Sequence, residues 1–309
     1  MATQFSVSDG RKWKGSFFSI WTGQAFSLLG SELVSFALIW YLTIETKSAT
    51  VLAVSTLVAM LPRIILSPLF GSLVDRWNRR WTMVFADAFI ALATVGLAVL
   101  FTLEIVEIWH IYALICLRSI AGTLHGMAMG ASTSLMVPVE HLTRIQGFNQ
   151  FLNGGLGIIA APLGAVLIDT MPMQRILAID VVTAVVAIIP LLFSKVPQPD
   201  RVVKAAGEKD SVWEDMKEGF AYMHRRTGLM IIMGMAMVIN LVLTPASSLM
   251  SLLVLDHFNG EAIQFGLFNS SFSFGVIGGS LLLGVWGGFK KKIITSMIGL
   301  FGVGAGFLA

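Results

Sequence analysis

From Phe17 to Tyr41 the chain runs through twenty-five residues with a single charged side chain, Glu32. A helix crossing a bilayer needs about 20 mostly apolar residues. Comparable runs recur near 51–74, 82–103, 108–134, 146–168, 175–194, 229–255 and 262–288, and a ninth begins near 293. One aqueous core cannot bury that many greasy segments, so a bilayer is the solvent this chain is built for. The chain is 56% hydrophobic and 13% charged, whereas soluble domains average about 45–50% and about 25%. The first run is too long for the apolar region of a cleaved signal and has no small-residue cleavage site, so it is expected to stay as a span. The single Cys116 excludes an internal disulfide, and the five His show no paired metal-ligand spacing.

Lys and Arg set the expected orientation, because they collect on the cytoplasmic side of membrane helices. One set of loops holds Arg11, Lys12, Lys14, Arg76, Arg79, Arg80, Arg144, Lys195, Arg201, Lys204, Lys209, Lys217, Arg225, Arg226 and Lys290 to Lys292. The alternate loops hold only Lys47 and Arg175, beside Glu45, Glu104, Glu107, Asp256 and Glu261. This segregation places the N-terminus and the central linker in the cytoplasm of a multi-pass cell-membrane protein. It also divides the chain into an N-terminal six-helix bundle (1–194), a cytoplasmic linker (195–228) and a partial second bundle (229–309).

The basic loop GSLVDRWNRR at 71–80 has an echo in GVWGGFKKKI at 284–293. Both join an even helix to an odd one, which suggests a repeated six-helix unit. A full second unit would need roughly 100 residues beyond Ala309. The chain is therefore expected to be a fragment or the product of an interrupted gene, with eight to nine helices of about twelve; a natural nine-span protein is the alternative.

GSLVDRWNRR resembles the signature between helices 2 and 3 of major facilitator superfamily transporters, with Gly71, Asp75, Arg76, Arg79 and Arg80 on its positions. GQAFSLLGSELVSFALIWYL, LPRIILSPLFGSLVDRWNRR and LRSIAGTLHG are similar to the drug:proton antiporter branch that includes macrolide and siderophore exporters. The resemblance implies an all-α integral membrane protein of the major facilitator fold. It implies proton-driven efflux of small amphipathic molecules by alternating access, macrolide-like drugs first and a siderophore or lysophospholipid next. The expected partners are that substrate and the lipid bilayer, with no nucleic acid, no metal and no cofactor beyond the proton gradient, and a monomeric state at full length. The GGLGIIAAPLGAVL stretch of helix 5 departs from the Gly-Pro pair common in such antiporters. An inactive fragment or a non-transporting scaffold stays open as another class. No Gly-rich phosphate loop or catalytic cluster favours an ATP-driven pump or an enzyme.

The resemblance also implies that Asp75 pairs with arginines and with the other half as a latch, the alternative being a solvated positive-inside turn; Asp87 either reaches the same arginines or is a satisfied interfacial acid. Glu32, Arg63 and Arg118 fall near mid-membrane, where charge is expensive and usually functional. Helical rise brings Glu32 and Arg63 within a turn of each other in depth, so the two are expected to approach each other or to line a cavity. Burial favours a neutral carboxyl and a neighbouring Arg a charged one, so an acid between them can exchange protons. Arg118 looks like the helix-4 arginine tied to proton coupling, or else anchors helix 4 through a carbonyl or acid. His125, a lone membrane His, reads as a hydrogen-bonded packing residue rather than a proton relay. Gln24, Trp40, Tyr41, Asn153, Asn240 and Asn269 are cavity candidates. Gly126, Gly130, Gly154, Gly157, Pro162 and Gly164, with Gly275, Gly278 and Gly279, suit close helix packing. Residues 211–226 of the linker show the spacing of an interfacial amphipathic helix.

Overall fold

The computed structural model describes residues 12–194, 196–198, 225, 227–286, 298–299, 301–302 and 306. The amphipathic helix expected at 211–226 and the basic cluster Lys290 to Lys292 lie outside the described residues, as does most of the ninth span.

Six long helices come first: α1 (Lys12–Thr46), α2 (Ala49–Arg76), α3 (Arg79–Thr102), α4 (Ile108–Met136), α5 (Val139–Thr170) and α6 (Met173–Phe193). All six are long and apolar enough to cross a membrane. After the linker come α7 (Thr227–Leu252), which runs into a π-helical turn at Leu253–His257, and α8 (Ala262–Trp286). The helices reach several residues past the apolar runs at many ends, because polar residues continue the backbone ladder into the interface. The stops are local. Ser48 accepts from the Val51 amide at the start of α2, and Asn78 accepts from the Trp81 amide at the start of α3, each meeting one of the amides a helix start leaves unpaired. Glu107 and His110 form a capping box at the start of α4. Pro138 and Pro172 stand immediately before α5 and α6.

The helices alternate in direction. Arg79 donates from Nη1 to the Ala131 carbonyl (2.9 Å), Arg80 donates to the Leu192 carbonyl, and Trp13 stacks on His141. The start of α1, the α2–α3 and α4–α5 turns and the end of α6 therefore share one end, called the basic end below. At the far end Tyr41 meets Phe101 edge to face, and the Tyr112 hydroxyl donates to the Val51 carbonyl at 2.9 Å. Leu92, Val139, Phe193 and Phe272 project outward and exposed, the surface a hydrocarbon solvent accepts and water does not.

Within the first six helices the buried apolar residues form two cores. Phe17, Ile20, Val74, Met83, Val84 and Ala128 fill the basic half. Leu38, Leu42, Leu52, Leu97, Ile111 and Leu177 fill the far half. A third cluster joins the two halves of the chain: Phe36 and Trp40 of α1 stack on Phe265 of α8 at 5.3 and 5.7 Å, beside Ala161 and Ala165 of α5. The Thr43 and Ser251 hydroxyls hydrogen-bond at 2.9 Å nearby. These contacts tie the halves together toward the far end.

Small residues set the closest helix approaches. A Cβ on Gly30 would meet the Asp180 Cα at 3.1 Å and collide with the Thr183 hydroxyl, and one on Gly23 would lie 3.2 Å from the Ala187 Cα; these fix α1 against α6. Gly266 lies so close to α5 that a Cβ would be 2.9 Å from the Ala161 carbonyl oxygen and 3.0 Å from the Pro162 Cα. Gly154 faces Ile277, Gly157 faces Ser273, and Gly164 faces Phe36. Gly126 and Gly130, expected at a packing face, instead look into open space, as do Gly275, Gly278 and Gly279 among the described residues. The small-xxx-small spacing is present, but no described neighbour closes on it.

Candidate functional site

Between the two apolar cores lies a polar layer, in two rungs. The upper rung centres on Asp180 of α6, which is 1% exposed. Its Oδ2 forms an ion pair with Arg118 of α4 and accepts from the Thr94 hydroxyl of α3 at 3.3 Å. Its Oδ1 accepts from the Ser31 hydroxyl of α1 at 3.1 Å. Arg118 also donates to Thr94 Oγ1 (3.2 Å) and reaches the Ser31 carbonyl (3.4 Å). Four helices are thus tied at one carboxylate. A buried charge without a partner is very unfavourable; here the two charges and their hydrogen bonds are mutually satisfied. Glu32, the next residue along α1, is exposed. It makes no ion pair among the described residues.

The lower rung lies closer to the basic end. Gln24 of α1 donates from Nε2 to Asp87 Oδ2 at 3.1 Å. His125 Nε2 of α4 lies 3.4 Å from Asp87 Oδ1. Gln24 and Asp87 are buried, at 6% and 5% exposure.

Several expectations are corrected by these contacts. Glu32 does not approach Arg63: α2 packs mainly on α4 and only sparsely on α1, and Arg63 is exposed without an ion pair. Arg118 is the guanidinium that reaches α1. Asp87 does not meet the arginines of the 71–80 loop, because Arg79 and Arg80 cap the carbonyl ends of α4 and α6 while Asp87 turns inward to His125. Gln24 and Trp40 do not line a cavity: the first is bound to Asp87, and the second is sealed in the aromatic contact between halves. Tyr41 is half-buried and borders a cleft at the far end with Phe101, Glu104, Val106, Ile168 and Met171. Asn153 and Asn240 are exposed, and Asn269 donates back to its own helix at the Phe265 carbonyl (3.0 Å); the three are not gathered into one site.

In the basic loop, Asp75 lies 3.4 Å from the buried Arg79 while remaining 74% exposed. The Arg79 backbone amide donates to Gln198 Oε1 at 3.1 Å, which pins the loop to the chain leaving α6. Gly71 has open space beside it.

Asp180 escaped the sequence reading. Its only signal was one acid within the apolar stretch RILAIDVVTAVVAII, seven residues into α6 and therefore easily taken for an interfacial residue.

A family model described as the Major Facilitator Superfamily matches residues 20–309. The chain belongs to the major facilitator superfamily. This superfamily member is 34% identical over 294 residues to Macrolide efflux protein A of Streptococcus pyogenes, an alignment covering 94% of the chain and 72% of that protein. It is 33% identical over 259 residues to Macrolide efflux protein A of Enterococcus faecalis, covering 83% and 79%. It is 22% identical over 302 residues to the uncharacterized MFS-type transporter YvqJ of Bacillus subtilis, covering 96% and 69%.

Proposed function

We propose that this protein exports macrolide-like amphipathic molecules across the cell membrane in exchange for protons, by alternating access. The observation that carries the reading is the 34% identity to Macrolide efflux protein A across nearly the whole chain. The polar layer supports it: Arg118, Asp180 and Asp87 stand between two apolar cores, and intramembrane charge of this kind is retained where ions or substrates move. Glu32, one residue along α1 from Ser31, supplies an exposed carboxyl beside the closed Arg118–Asp180 knot and is the group that would exchange a proton. With the basic end in the cytoplasm, the contacts of Phe36 and Trp40 with Phe265 lie toward the outer face and would have to part for the protein to open outward. Asp75 is then unengaged by the described residues of the second half and free to latch onto it when the inner face closes.

The test is accumulation of radiolabelled erythromycin in a susceptible bacterium expressing the full-length protein. Accumulation should fall well below that of the empty host, and a protonophore should restore it. Equal accumulation in both strains would refute export, and export that persists with the protonophore would refute proton coupling.

A further inference from the structure

The two polar rungs are in register along three helices. Gln24 and Ser31 on α1, Asp87 and Thr94 on α3, and His125 and Arg118 on α4 are each seven residues apart. Seven residues are two helical turns, so each pair lies on one face with a rise of about 10 Å. The lower rung sits between the upper rung and the basic end.

The rungs differ in what they can do with a proton. Arg118 stays charged in proteins, and Asp180 compensates it, so the upper rung is neutral and closed as it stands. The lower rung is a carboxylate, an imidazole and an amide. The Asp87–His125 pair carries one net negative charge without a proton and none with it. Imidazole is the side chain whose ordinary titration falls in the working pH range. His125 Nε2 is also buried without a hydrogen bond, at 3.4 Å from Asp87 Oδ1, whereas buried polar atoms are normally paired. A proton placed between these atoms would supply the missing bond. The charged groups on the surrounding helices include Lys14, Glu32 and Glu45 on α1, Arg63 on α2, Arg118 on α4 itself and Arg175 and Asp180 on α6, with Asp75, Arg76, Arg79 and Arg80 at the basic end. Of these none is within ion-pair distance of His125; Asp87 alone is.

We propose that Asp87 and His125 form a proton-binding site within the N-terminal bundle, separate from the Glu32 level and serving the basic end. It binds one proton between Oδ1 and Nε2 and releases it again, with no covalent bond made or broken. This rests on the proton-exchange reading above.

The experiment uses the full-length protein in liposomes with a trapped pH-sensitive dye and erythromycin as substrate. The variant Asp87→Asn/His125→Gln keeps an amide pair able to hydrogen-bond but unable to titrate. It is expected to retain erythromycin counterflow, which needs no net proton movement, while losing substrate-driven proton flux and the pH dependence of uphill transport. His125→Gln alone should show the same separation. Proton flux equal to wild type in the double variant would overturn the proposal. So would loss of counterflow in both variants, which would mark the cluster as a structural tie. A wild-type protein with counterflow but no substrate-driven proton flux would instead remove the proton-exchange reading itself, and this site with it.

Discussion

Replacing Asp180 by Asn is the sharpest test of the upper rung. The substitution keeps the shape and leaves acceptor and donor atoms for Ser31 and Thr94, but it strips Arg118 of its counter-charge. Breaking a buried ion pair from one side costs about 3–5 kcal/mol. Arg118 retains some exposure, the Thr94 hydroxyl and a long contact to the Ser31 carbonyl, so the lower end applies. A loss of about 3 kcal/mol is roughly a hundredfold in the folded-to-unfolded ratio. Arg118→Gln should cost a similar amount, because it leaves Asp180 sealed among four helices with only two hydroxyls. The double variant Asp180→Asn/Arg118→Gln restores a neutral hydrogen-bonded pair, and its cost should be far below the sum of the singles. Reversible unfolding of the purified protein in mixed micelles measures all three. Additive losses would refute the coupling, and with it the claim that one carboxylate ties α1, α3, α4 and α6.

Two other expectations follow from distances in the structure. With the thiol of Cys116 removed, Thr43→Cys/Ser251→Cys should form a disulfide under mild oxidant, since the native hydroxyls are 2.9 Å apart; efflux should stop and return on reduction, whereas full efflux by the cross-linked protein would show that these halves need not part. Gly30→Ala should destabilise by about 1–3 kcal/mol through overpacking against Asp180 and Thr183, while Gly126→Ala, which meets nothing, should be neutral or stabilise by up to about 1 kcal/mol, both read in the same unfolding assay.

The spans were legible in the sequence because a bilayer demands long apolar runs, and loops sorted by charge gave a second, independent check on the count. Helix ends were less so: the runs stop at the edge of the hydrocarbon, but α1 continues to Lys12 and α5 starts at Val139. The site was legible as residue types and not as partners. Glu32 and Arg63 share a depth, yet depth fixes only one coordinate of three; the contact between α1 and α4 decided that Arg118 would reach α1. Asp87 was visible as an acid near three arginines in sequence, but helix rotation turned it toward His125 and Gln24. Gly126 and Gly130 failed for the same reason, since spacing marks a face without saying what lies opposite it. Asp180 was missed because an isolated acid near a span's end looks interfacial until α1, α3 and α4 are seen to close over it.

The seam between α5 and α8 has a mechanical consequence. From Gly266 against Ala161 to Ile277 against Gly154 it covers eleven residues of α8, about 16 Å of rise, and Ser270 donates across it to the Ile158 carbonyl at 2.7 Å. Under the alternating-access reading proposed above, a seam this close, backbone on backbone at Gly266 and with only Ile277 and Ser273 reaching across to Gly154 and Gly157, would serve as an axle on which one half turns on the other, while separation would break the bond at Ser270. On that reading, a bulky residue placed in the groove would slow every cargo to the same degree, a signature different from a change in side chains that choose among cargoes.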